Sequence, residues 1–151
     1  MLRYAPPVDE TDVIERFGIP PRREDLAEIR RALEAASELE RDDDDTSDTL
    51  AMKALCVLLF AAGQVEDSIA IWRAKTASFD AGCSIDVQLL CGAGLRETRR
   101  YLEGLDSDEA RAALTYITEC DAAGDFEGHD EPGGRLSRVV AEYQRYYGLT
   151  T

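Results

Sequence analysis

The sequence predicts an all-α protein: a compact helical bundle or short solenoid-like stack of about eight helices, with no sheet. Three observations carry that expectation. Apolar residues recur every three or four positions in segment after segment, and glycines stand between those segments. No stretch shows the sustained alternation or β-branched enrichment of a strand. A length of 151 residues suits one domain spanning 1-151 and is enough to bury a real core.

The elements follow in order. A short first helix, Thr11 to Phe17, ends at Gly18. Proline can open a helix but not continue one, so Pro20 and Pro21 predict the start of a second helix running to Arg41. Leu26, Ile29, Leu33 and Ala36 give it an apolar stripe. The run 42-DDDDTSDT-49 repels itself and reads as a solvated linker between the N-terminal helices and the main helical body. Thr46 or Ser47 is placed to cap the third helix, Asp48 to Ala62, which is apolar nearly all round and therefore central.

Gly63 stops that helix, and a fourth is predicted from Val65 to Ser78. The stretch 79-FDAGCSIDVQLLCGAGL-95 reads as an elbow: Gly82 closes one helix, and Ser84 caps the next, which runs to Cys91. Gly92 and Gly94 then turn the chain into a helix from Leu95 to Glu103, with the cysteines packed inside. Ser107 caps a helix to Ala123, with Asp108 and Glu109 suiting the dipole of its first turn. The stretch 125-DFEGHDEPGG-134 is a loop by composition, and a last helix runs from Arg135 to Tyr147.

A formal net charge of −14 argues against nonspecific nucleic-acid or anionic-membrane binding, and it would speed encounter with a basic protein. No apolar core follows the single arginine of MLRYAPPVDETD, so a secretory leader is not expected. The longest apolar run, 54-ALCVLLFAAG-63, falls short of the roughly 20 residues of a membrane span. A cytoplasmic protein with reduced cysteines is the expectation. Of the 17 basic residues only Lys53 and Lys75 are lysines, which reflects the codon usage of a GC-rich genome rather than a function.

Residues 50-LAMKALCVLLFAAGQVEDSIAIWRAK-75 resemble one tetratricopeptide-type helical hairpin. Met52, Leu55 and Cys56 match the packing positions of its first helix, Gly63 its turn, and Val65, Ser68, Ile69 and Trp72 its second helix. Lys75 stands where the family has a closing alanine. No second unit follows about 34 residues later, where Gly63 would map onto Glu97. The resemblance implies protein–protein interaction. From the residues alone, the two helices are expected to pack on Leu55, Leu59, Ile69 and Trp72.

The candidate chemistry is sparse. His129 is the only histidine, and it could serve Cys83 or Cys91 as a base only if folding brings them together. Cys83 and Cys91 are eight residues apart without a CxxC or HxxxH, so no zinc spacing exists. The stretch 121-DAAGDFEGHDEP-132 lacks the glycine and glutamate of a calcium loop, and there is no phosphate loop or dinucleotide fingerprint. No cofactor and no metal are implied.

Arg22, Arg23, Arg30 and Arg31 suggest a helix-turn-helix over 12-34, but Glu24, Asp25, Glu28 and Glu34 on the same helix would repel phosphates. Pairs at i and i+4 on a solvated face are the expected use of those arginines. Arg96, Arg99 and Arg100 share one helix face that could hold a carboxylate or phosphate, or pair with Glu97 and Glu103. Asp80 and Asp86 bracket Cys83; they could do acid–base work, or tie a turn and favour a helix start.

Three readings result. The first is an acidic helical protein acting on another protein, a basic one, as adaptor, regulator or immunity-type inhibitor, with a homo-oligomer left open. The second is an enzyme whose pocket joins Asp80, Cys83 and Asp86 to the Arg96/Arg99/Arg100 face. A helix-turn-helix DNA binder is the third and lesser reading.

Overall fold

A computed structural model describes residues 9–42, 48–129 and 135–146, with side chains of the last helix described for 140–145. All regular structure among the described residues is helical. The helices are α1 (Glu10–Phe17), α2 (Leu26–Arg41), α3 (Thr49–Ala62), α4 (Ser68–Lys75), α5 (Phe79–Ser84), α6 (Leu95–Gly104), α7 (Asp108–Ala122) and α8 (Arg135–Tyr146). Short 3₁₀ turns occupy Arg23–Asp25, Val65–Asp67 and Val87–Cys91. No helix among the described residues is long and apolar enough to cross a membrane.

Local chemistry sets most boundaries. Asp9 caps α1 by accepting from the Asp12 N–H at 2.9 Å, and Ser107 caps α7 through the Ala110 N–H. Asp48 accepts from Leu50 and Ala51 and so caps α3. The expected caps Thr46 and Ser47 lie outside the described residues, as does most of the acidic run. Gly63 ends α3 at φ 70°, a left-handed conformation that only glycine adopts without strain.

Helix α3 is the centre, as its all-round apolar character predicts: Met52, Ala54, Leu55, Cys56, Val57, Leu58 and Leu59 are all buried. Burial in apolar surroundings pushes the Cys56 thiol far above its ordinary value, so it behaves as a small apolar side chain. Helices α1 and α2 pack on α3 with Val13, Ile14, Phe17, Ile29 and Leu33. Buried side chains from Val13 to Phe126 form one cluster, against which Val140 and Tyr143 of α8 also pack.

Several expectations are corrected. The second helix does not begin at the prolines; a 3₁₀ turn comes first, and regular α geometry starts at Leu26. The fourth helix stops at Lys75 because Ser78 is extended and caps a new helix, accepting from the Ala81 N–H at 3.0 Å. That helix, α5, runs through Gly82 to Ser84, so Gly82 does not end it and Ser84 does not open the next. The predicted helix from Ser84 to Cys91 is instead the Val87–Cys91 3₁₀ turn.

Nor do the two hairpin helices pack chiefly on each other. Helix α4 packs most closely on α2 and on the Val87–Cys91 turn, and that turn packs on both α3 and α4. Leu55 and Leu59 are buried as expected, but Ile69 and Trp72 are only partly covered; Ile71 and Ala74 fill the α4 side of the core.

The Val87–Cys91 half of the elbow therefore sits inside the molecule, and Gly92 shows how tightly. A Cβ on Gly92 would stand 2.7 Å from the Phe60 carbonyl oxygen and 3.0 Å from its Cα. Backbone cannot yield as a flexible side chain does, so Gly92→Ala should destabilise the fold by about 1–3 kcal/mol. Gly104, where an added Cβ would meet nothing within 4 Å, provides the control. Urea denaturation is expected to show Gly104→Ala within about 0.5 kcal/mol of the parent; equal effects at the two glycines would contradict this packing.

Candidate functional site

The sequence points first to the elbow and its arginine face. Asp80 lies in the first turn of α5 and is exposed, as is Cys83, which corrects the expectation that the elbow's cysteines are all packed inside. Cys91 is buried. Asp86 precedes the 3₁₀ turn, with its carboxylate 3.9 Å from the Lys53 ammonium. Ser84 bonds to Thr49 at 3.3 Å rather than capping a helix.

On α6, Arg99 pairs with Asp121 at 3.3 Å and Arg100 with Glu97 at 3.6 Å, while Arg96 is exposed. A shallow pocket of about 440 Å³ beside them is lined by Leu95, Arg96, Arg99, Arg100 and Glu103. Asp80, Cys83 and Asp86 are not part of that lining. The arginine face thus forms one pocket wall, with two of its three charges already paired.

The elbow is held by groups that would otherwise suggest chemistry. Lys75, 8% exposed, donates to the carbonyl oxygens of Gly82 at 2.6 Å and Ile85 at 2.5 Å. These carbonyls belong to the last turn of α5 and the residue after it, where the helix supplies few partners of its own. Desolvation lowers the Lys75 pKa, opposed chiefly by Asp86. Its ammonium also lies 5.8 Å from the centre of the Tyr116 ring.

His129 has a similar task. Its Nε2 lies 2.8 Å from the Cys91 carbonyl oxygen, which can only accept, so Nε2 carries the proton. It meets Cys91 through backbone, with its ring edge-on to Phe126 and Phe60. Gln88 donates to the Asp125 carbonyl at 2.8 Å from the same turn. Among the described residues, no group of three or more His, Cys, Asp or Glu side chains is arranged to hold a metal ion.

A larger concavity than the one beside the arginine face lies elsewhere. A cleft of about 790 Å³ runs between α2, α4, α6 and the start of α7. One wall is Arg30, Glu34, Ser37 and Arg41, a stripe at i, i+4, i+7 and i+11 along α2. Ile69, Ala70, Tyr101 and Leu105 supply apolar surface. Two bidentate ion pairs brace the cleft. Arg30 donates to Asp67 at 2.7 and 3.1 Å, and Arg73 to Glu109 at 2.7 to 3.0 Å. Each hydrogen-bonded carboxylate raises its arginine's pKa further.

Asp67 is 4% exposed, so Arg30 neutralises a buried carboxylate instead of pairing along its own helix. The α2 stripe is the signal that could have revealed this wall from sequence. Asp67 and Glu109 are distant in sequence from their arginines, and local spacing could not pair them.

Replacing Lys75 separates a structural role from a chemical one. In Lys75→Met the Gly82 and Ile85 carbonyls lose their donor, and a loss of about 1–3 kcal/mol is expected by urea denaturation at neutral pH. The native state holds the Lys75 proton less tightly than the unfolded chain does. Wild-type stability relative to Lys75→Met should therefore rise with pH from the lowered native pKa up to the ordinary value of 10.5. A difference that is flat or falls across that range would contradict the assignment.

Comparison with protein-family models, with curated proteins and with solved structures gives no match for this chain.

Proposed function

We propose that this protein acts by binding another protein, and that the α2/α4/α6/α7 cleft receives a segment of that partner. The observation that carries the reading is the braced cleft itself. Apolar and polar side chains line it together, and two of its arginines are fixed by ion pairs before any ligand arrives. Preorganised surfaces of this kind bind without a large ordering penalty.

Charge indicates which kind of segment fits. Asp67 and Glu109 are matched by Arg30 and Arg73, leaving Glu34 and Glu66 against Arg41 on the cleft wall. With a net charge of −14 over the whole chain, a basic partner is steered toward it and an acidic one is repelled. The resemblance of residues 50–75 to a tetratricopeptide-type hairpin supports the same class of function. An adaptor, a regulator or an inhibitor of a basic protein all fall within it.

The test is affinity purification of the tagged full-length chain from its native host, beside an Ala70→Arg variant that fills the cleft. A basic protein recovered at near-equal abundance with the parent chain, and reduced at least about tenfold by Ala70→Arg, is the expected result. Recovery of no partner, or recovery indifferent to Ala70→Arg, would refute the reading.

A further inference from the structure

One end of the helical stack has a surface unlike the rest. Phe79 is 84% exposed and Leu50 is 54% exposed, the two most exposed large apolar side chains among the described residues. Leu39, also exposed, lies on the last turns of α2 at the same end. Three helix ends meet there: Ser78 bonds to Glu40 of α2, and Ser84 bonds to Thr49 of α3.

Phe79 is presented by a fixed backbone. Ser78 immediately before it accepts from the Ala81 N–H and so starts α5, while its hydroxyl bonds to Glu40. A phenylalanine gains nothing from water, and the surrounding hydrogen bonds hold its backbone where the ring stays outside. Aromatic side chains, phenylalanine included, are enriched at protein interfaces.

The charges on these helix ends indicate the occupant. Glu38, Glu40, Asp42, Asp48 and Asp80 belong to these three helix ends. The cations on the same segments are Arg41, which lines the cleft, and Lys53, which stands near Asp86. A second copy of this chain would bring the same carboxylates against themselves. A partner with an apolar pocket ringed by lysine or arginine meets both the ring and the charges.

We infer that the Leu50/Phe79 end is a docking surface for a basic protein, with Phe79 as its anchor. The inference rests on the binding function proposed above, but on a different surface from the cleft.

The experiment places a photo-crosslinking phenylalanine analogue at position 50 of the full-length chain in its native host. The same analogue at Thr115, an exposed position on α7, is the control. Position 50 should yield an adduct absent from position 115, with the crosslinked peptide of the partner rich in lysine or arginine. Phe79→Asp should lower the adduct at least about tenfold, and Phe79→Leu should restore most of it. An acid at the first position of a helix favours folding, so the thermal melt of Phe79→Asp should match the parent.

No adduct at position 50, an adduct with a second copy of this chain, a crosslinked segment without basic residues, or an adduct indifferent to Phe79→Asp would overturn the inference. The cleft variant distinguishes the two proposals. A partner lost with Ala70→Arg but kept with Phe79→Asp overturns this inference and leaves the cleft reading standing. The reverse pattern removes the cleft and keeps the Phe79 surface.

Discussion

The fold depends on burying one short piece of irregular backbone, the Val87–Cys91 turn, between α3 and α4. Val87, Leu89, Leu90 and Cys91 are all buried, and each large apolar side chain there contributes roughly 1.5–3 kcal/mol. Burying a turn also buries peptide groups that a regular helix would satisfy by itself. Lys75 supplies donors to Gly82 and Ile85 just before the turn, and His129 supplies one to Cys91 at its end. Gly92 lets the chain leave against the Phe60 backbone. The single histidine and one of the two lysines are therefore occupied in holding an elbow.

That wedge shapes the surface. With the turn lying against both α3 and α4, α4 finds its closest helical neighbour in α2. Arg30 and Asp67 meet across that contact, and Arg73 reaches Glu109 at the start of α7. The cleft lies over these pairs. On the other side of the elbow, α5 carries Phe79 outward while Ser78 and Ser84 tie its two ends to α2 and α3. The two surfaces proposed for binding thus share one structural origin.

Much of the fold was legible because it rests on local rules. Helical spacing, the central apolar α3, the stop at Gly63 and the cap at Ser107 all follow from residues within one turn of each other. The elbow was misread for the same reason. A lone glycine looks like a breaker, so Gly82 concealed α5, whose cap at Ser78 belonged to a helix only six residues long. Lys75 is one of only two lysines, but its carbonyl partners lie seven and ten residues ahead and outside any helical register. The Arg30–Asp67 and Arg73–Glu109 pairs span 37 and 36 residues, which no local spacing encodes. Acids on the ends of α2, α3 and α5 were visible as charge, but not as sharing one end of the molecule with an exposed phenylalanine.

The Val87–Cys91 turn is part of the packed core rather than an opening for chemistry. Native-state amide hydrogen exchange reads it most directly at Leu89, whose N–H donates to the Asp86 carbonyl at 3.0 Å. If the turn is the wedge of the core, that amide exchanges only through global unfolding, with an opening free energy equal to the one from urea denaturation. Exchange through a local opening well below that value, while the α3 amides stay protected, would show that the turn is not part of the core.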